Sequence, residues 1–452
     1  MTTHVGDGGD QRGDADERNL VPANTAMAQP PPADSSARRA PVLEPAPVSF
    51  GAILLLVAAT FGSGMAMIVP MSYSLAVRLD QLAPGRADLL GYILGIGSAA
   101  TLVVAPLSGI LSDRTRSRWG RRRPFTVAGV AIGIIAIPVM AFAPNFAVLA
   151  AGWVLSTVGW NTAGGSIGNW QADRLPPQQR GKVSGLTGLA MQVAPVVGII
   201  LVGTVRAETL LVFVIPAVVG LALVGLFVVF ARDPDSRAVV HSEPLTLGRI
   251  VRSYAFSPRA FPDFAWNWVG RFIFFFGLTF ATSFSVYFFS QRLGISVPEV
   301  AGFQALTAAL SIGTALLGSL GGGWVSDRIG RRKPLIVLGA LLFAIGCTTS
   351  AFAGNVPSLI AGTLISSLGI ATFSAVGQAL TLDVLPNRDT EAGRYMAITL
   401  FAQKIPGVLA PAVAPLVLAL MGGGNFLALY LTAAVLAVAG GLVIGIGVRS
   451  TR

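Results

Sequence analysis

Charge is what this sequence has least of. Only 12% of its 452 residues are Asp, Glu, Lys or Arg, against 53% that are apolar. A water-soluble domain of this length needs about a quarter of its residues charged to wet its surface, so the bilayer is the expected solvent for most of the chain. Histidine is nearly absent: His4 and His241 both fall outside the apolar runs, which excludes a histidine metal site or proton relay within the membrane. The single cysteine, Cys347, can form neither an internal disulfide nor a metal cluster. No Gly-x-x-x-x-Gly-Lys-Ser/Thr loop occurs, so ATP-driven pumping has no support. No nucleophile–base pair points to an enzyme, and no cofactor is expected. Residues 1–30 lack the apolar run of a secretory signal.

What is present is apolar run after apolar run. Stretches of the roughly 20 residues a spanning helix needs occur near 50–77, 89–111, 124–143, 146–170, 184–204 and 209–230, then near 263–290, 299–325, 335–353, 356–381, 395–421 and 425–447. The 53 glycines suit close helix packing in lipid. Residues 1–48 are polar and Pro/Ala-rich, with seven acids against four arginines, and read as a disordered tail. Of the 28 basic residues beyond that tail, 22 fall on one side of the twelve runs and four on the other. By the positive-inside rule both termini and the central loop are cytoplasmic. The net charge of +11 is therefore topology, and no nucleic-acid partner is expected.

The chain repeats itself. Gly109-Ile110-Leu111-Ser112-Asp113-Arg114 recurs as Gly323-Trp324-Val325-Ser326-Asp327-Arg328, and Gly120-Arg121-Arg122-Arg123-Pro124 recurs 210 residues on as Gly330-Arg331-Arg332-Lys333-Pro334. The first copy carries four extra residues between Asp and Gly. Asp173-Arg174-Leu175-Pro176 matches Asp383-Val384-Leu385-Pro386 at the same offset, and Gln192 and Pro195 match Gln403 and Pro406 at 211. These matches predict an all-α membrane protein of twelve transmembrane helices in two pseudo-symmetric six-helix bundles: a tail over 1–48, one bundle over 49–231, a central loop over 232–261 and the second bundle over 262–448. Duplication of this kind is typical of transporters that bind a solute between their halves.

At these residues the chain resembles the major facilitator superfamily, whose signature is Gly-x-x-x-Asp-Arg followed by Gly-Arg-Arg/Lys in the loop between the second and third helices of each half. The longer first loop, Ser112 to Pro124, is similar to that of the sucrose/proton symporters and the glycoside–pentoside–hexuronide cation symporters. Asp383-Val384-Leu385-Pro386 followed by Ala392-Gly393-Arg394 resembles bacterial relatives of the sucrose-transporter group. The resemblance implies a carrier working by alternating access, with Asp113, Arg114, Gly120, Arg121, Asp327, Arg328, Gly330 and Arg331 latching the halves on the cytoplasmic side. Asp173 and Asp383 either join that network or only cap helix ends. The plainer reading of the arginines is topological anchoring.

Ionisable groups in the hydrocarbon are costly and point to function. Asp263, Asn267 and Arg271 share one helix face at spacings of four, with Arg271 about 12 Å deeper than Asp263. Asp263 reads as an interfacial residue and Arg271 as cavity-lining. Lys404 lies about 15 Å deep, too far to snorkel. Ser63, Tyr73, Asn161, Asn169, Gln192, Gln378 and Gln403 are candidates for solute hydrogen bonds or for bonds between helices. Trp153, Trp160, Trp170, Trp266 and Trp268 are candidates for stacking on a sugar or for an interfacial belt. Proton-coupled sugar carriers of this kind often hold a membrane-embedded acid in the first or fourth helix, and sodium-coupled ones in the second. The first six runs here have none at mid-depth, which puts proton coupling in doubt and sodium coupling more so. Two buried cations favour an anionic solute. The expected function is secondary transport of a small polar solute, a sugar, glycoside or organic anion, across the plasma membrane, with or without a co-transported proton. The protein is expected to be a monomer in the lipid bilayer. Efflux of a metabolite or drug is the alternative, and a non-transporting scaffold or receptor is the reading from another class.

Overall fold

The computed structural model describes residues 47–205, 210–237, 256–386, 388–420 and 426–449. The expected tail over 1–48 lies almost wholly outside them, as does the middle of the central loop. Twelve helices are long and apolar enough to cross a membrane. In chain order, spans 1 to 6 are Phe50–Leu82, Asp88–Arg114, Arg123–Ala141, Phe146–Arg174, Gln178–Gly203 and Leu211–Phe230. Spans 7 to 12 are Pro262–Ser283, Val297–Ile329, Lys333–Ala351, Val356–Asp383, Arg394–Ala419 and Phe426–Gly447. No strand occurs among the described residues. Large aliphatic side chains such as Val435, Ile446 and Leu320 are more than two-thirds exposed; on a water-facing surface they would be a liability, and against lipid tails they cost nothing.

The duplication is visible in how helices begin and how they pack. Pro124 and Pro334 occupy the first turns of spans 3 and 9, where a missing N–H is no loss. Asn145 and Asn355, 210 residues apart, cap spans 4 and 10 by accepting from the N–H of Val148 at 3.1 Å and of Ser358 at 2.9 Å. Spans 3 and 4 come close enough that a Cβ on Gly159 would lie 2.7 Å from the Gly129 carbonyl oxygen. In spans 9 and 10 a Cβ on Gly369 would lie the same 2.7 Å from the Gly339 carbonyl oxygen. Each pair is the other shifted by 210 residues. Such contacts replace a hydrophobic driving force that lipid does not supply.

Between residues 49–231 and 262–448, span 2 packs on span 11 and span 5 on span 8. Those pairs exchange under the repeat, as a pseudo-two-fold interface requires. The named contacts gather away from the basic loops. Gly91 meets Pro411 and Pro415, Tyr73 Oη donates to the Pro298 carbonyl at 2.8 Å, and Tyr287 Oη donates to the Ala76 carbonyl at 3.1 Å. Toward the basic loops the first turns of span 5, Gln178 to Gln192, are mostly exposed, so the halves stand apart there. Spans 1 and 8 each contain one π turn, Pro70–Ser74 and Leu317–Gly321, a distortion that often marks a working part of a helix.

Candidate functional site

A cavity of about 760 Å³ lies between the halves, walled by spans 5, 7, 8, 10 and 11. Arg271 is its only ionisable lining residue. The side chain is fully buried, yet none of its three guanidinium nitrogens has a hydrogen-bond partner among the described residues. Phe275, one turn along the helix, puts its ring 5.6 Å from the guanidinium carbon, a cation–π contact that offsets only part of the desolvation. Gly377 of span 10 leaves the room: a Cβ there would sit 2.8 Å from Arg271 Nη1. Gln192, Gln378 and Gln403 line the same cavity with Ser319, Ser367 and Ser374, so amides and hydroxyls from both halves surround one bare cation.

A second pocket of about 430 Å³ adjoins it through Gly188 and is lined by Ser63, Trp160, Asn161 and Gln171. Asn161 Nδ2 donates to the Thr157 carbonyl at 2.8 Å and to Thr101 Oγ1 at 3.3 Å, which leaves its amide oxygen for a solute. From there Gly168, Gln171 and Ser184 lead to a pocket ending at Arg180, at the basic-loop end of the fold. The solvated path therefore opens to the basic-loop side.

Other candidates lie elsewhere. Asn267 is fully buried and donates to Thr381 Oγ1 at 3.0 Å, a bond between spans 7 and 10. Asp263 accepts from the backbone N–H of Arg449 at 2.8 Å, at the end of its helix. Neither lines the cavity with Arg271, although all three share a helix face. Lys404 is exposed and outside that lining: it stands one residue, about 100° of helix, from Gln403. Its face is that of Pro411 and Pro415, which pack on span 2 further along. Depth located Lys404 correctly, and its helix face separates it from Arg271. Of the tryptophans, Trp160 lines a pocket. Trp268 and Trp170 instead donate to the carbonyls of Ile398 at 2.9 Å and Arg232 at 3.2 Å.

The basic loops build two matching charge clusters. Arg122 reaches Asp113 at 2.6 Å, Asp173 at 2.8 Å and Ser112 Oγ at 3.0 Å. Arg332 reaches Asp327 at 2.6 Å, Asp383 at 2.9 Å and Ser326 Oγ at 3.2 Å. Burial pulls the Arg122 guanidinium down, and pairing with Asp173 and then Asp113 more than offsets it. The second arginine of each Gly-Arg-Arg run is thus the hub, where the motif directed attention to Arg114, Arg121, Arg328 and Arg331. Arg121 still pairs with Asp173 at 2.9 Å. Arg328 lies over the Trp324 ring at 5.2 Å, and Arg331 is exposed. These ion pairs each stay within one half in this conformation, in which the two halves are apart on this side. Both Gly120 and Gly330 take positive φ, 85° and 65°, which is why glycine recurs there. The four extra residues of the first loop serve a separate contact: Ser236, just past span 6, donates to the Thr115 carbonyl at 2.8 Å and accepts from the Ser117 N–H at 3.0 Å.

Comparison with known proteins agrees with this architecture. The family model of the Major Facilitator Superfamily matches residues 50–320 and 293–451. The rice (Oryza sativa subsp. japonica) sucrose transport protein SUT1 is 33% identical over 106 residues, 22% of this chain and 18% of its own length. This chain therefore aligns with under a fifth of that relative. An uncharacterized protein of Mycobacterium bovis is 26% identical over 318 residues, 68% of this chain and 74% of its own. Among solved structures, the nucleoside transporter NupG superposes with a TM-score of 0.70 at 12% identity, covering 87% of this chain and 98% of that one. At that identity the likeness speaks for the fold alone.

Proposed function

The chain belongs to the major facilitator superfamily, a multi-pass membrane transporter of small solutes rather than an enzyme, and from that premise we propose that its solute presents an anionic group to Arg271. One observation carries this reading: a fully buried guanidinium without a hydrogen-bond partner in a cavity that no acid lines. Burying an unpaired charge costs several kcal/mol. A fold keeps such a group when a ligand completes it, and each charge-assisted bond from carboxylate to guanidinium returns about 1.5–3 kcal/mol. Gln192 and Gln403, from the two halves, would then close on the same solute as the carrier alternates. Sucrose transport is what the rice relative is named for, and a sugar acid satisfies both that likeness and the guanidinium. A co-transported proton has no carboxylate in the cavity lining to ride on, so any coupling proton would travel on the solute.

Binding to purified protein, followed by uptake in proteoliposomes, tests this. Carboxylate-bearing solutes should stabilise the protein as mass action requires and neutral sugars should not. Arg271→Ala should weaken carboxylate binding about 100-fold, and Arg271→Lys, which keeps the charge without the planar fork, about tenfold. Carboxylate binding that is unchanged in Arg271→Ala would remove the proposal.

A further inference from the structure

Beyond the Arg271 cavity, on the side away from the basic loops, the second half encloses another pocket of about 330 Å³. It shares Ser367 and Ile370 with the Arg271 cavity, so the two are continuous. Spans 7 to 10 and 12 wall it, and no charged residue lines it.

Its polarity runs opposite to that of the Arg271 cavity. Thr282, Thr307 and Thr363 spend their hydroxyl protons on backbone carbonyls of their own helices at 2.8–3.0 Å, those of Leu278, Phe303 and Leu359. Ser367 donates to the Ser311 carbonyl at 3.3 Å. A hydroxyl whose proton is spent turns lone pairs to the cavity. Gln304 adds a carbonyl: the side chain is 8% exposed, and its Oε1 has no hydrogen-bond partner. A buried unfilled acceptor is destabilising unless something donates to it. The pocket therefore asks for uncharged donors, since an ammonium would be left there without a counter-charge.

We propose that this outer pocket is a second subsite, which receives the hydroxyl-bearing, uncharged end of a solute whose anionic end lies at Arg271. The inference rests on the anionic-solute reading above and extends it: the solute is a polyhydroxylated acid. Gln304 is the specificity-determining residue, because its carbonyl is the acceptor left unfilled when the subsite is empty.

Three probes of similar size separate the possibilities: D-gluconate (carboxylate plus polyol), hexanoate (carboxylate plus alkyl chain) and 6-aminohexanoate (carboxylate plus ammonium). Binding to the full chain should be at least tenfold tighter for D-gluconate than for the other two. Gln304→Leu should bring D-gluconate down to the level of hexanoate, leave hexanoate unchanged and not lower the melting temperature. Cys347 lines this pocket and is the only cysteine in the chain, so its modification by methyl methanethiosulfonate reports occupancy without any substitution. Bound D-gluconate should slow it at least fivefold. Equal affinity for D-gluconate and hexanoate overturns the subsite, as does tighter binding of 6-aminohexanoate. So does a Cys347 rate that bound D-gluconate leaves unaltered, or a Cys347 that never reacts. D-gluconate binding lost in Arg271→Ala but kept in Gln304→Leu sinks the subsite and spares the anionic reading. The reverse pattern sinks the anionic reading and spares the subsite. Binding of none of the probes rejects both.

Discussion

The two halves share a frame and differ in what they put inside it. Asparagine caps, interhelical glycine contacts and arginine hubs recur 210 residues apart with nearly the same distances. The cavity walls do not recur. Arg271 of span 7 has Phe61 as its counterpart in span 1, and the pocket within the first half is neutral. Duplication was therefore kept where geometry is at stake, at helix starts, crossings and loop clusters. It was lost where the solute is met. A carrier that rocks two like halves around one solute needs matched joints, whereas an asymmetric solute needs unlike walls.

The sharpest way to break this comparison is at the walls. Arg271→Ala should weaken carboxylate binding about 100-fold, while Asn161→Ala, which removes one neutral amide, should cost only about fivefold. Equal losses, measured by titration on the same preparation, would mean that the halves contribute alike. The hubs come next. Arg122 has a side chain 6% exposed and Arg332 one 23% exposed, so the same deletion strands carboxylates in different surroundings. Arg122→Ala should lower stability on the order of 3 kcal/mol and Arg332→Ala by about 1 kcal/mol, read from melting in detergent. If Arg332→Ala proves the costlier, burial is not what distinguishes the clusters.

The fold was almost fully legible because hydrophobic length and arginine placement are one-dimensional signals. Where helix ends leave the hydrocarbon the signal fades: span 5 begins at Gln178, whereas its apolar run begins near 184. Arg271 was legible since a charge deep in an apolar run has few explanations. Lys404 had the same signal and a different outcome, because depth says nothing about which face a side chain takes. The hubs were hidden within a run of three basic residues, where spacing alone does not say whether Arg121 or Arg122 turns inward. Gln304 was missed outright. One glutamine in span 8 looks like any polar residue of a long helix, and only the empty position around its carbonyl sets it apart.

The smallest expected contrast lies in the two loop glycines. Both have positive φ, so alanine at either costs about 1 kcal/mol in backbone strain. At Gly330 that is the whole effect, since a Cβ there meets nothing within 4 Å. At Gly120 the Cβ would overlap the Asp233 carboxylate, which caps span 3 by accepting from the N–H groups of Arg122 at 2.8 Å and Arg123 at 3.3 Å. Displacing a cap adds about 1 kcal/mol, so Gly120→Ala should cost about twice what Gly330→Ala does. The origin of the excess is separable. In an Asp233→Ala background the cap is already gone, so Gly120→Ala should fall to the cost of Gly330→Ala. A double mutant that is instead additive would show the loop strain, and not the cap, to be what differs between the halves.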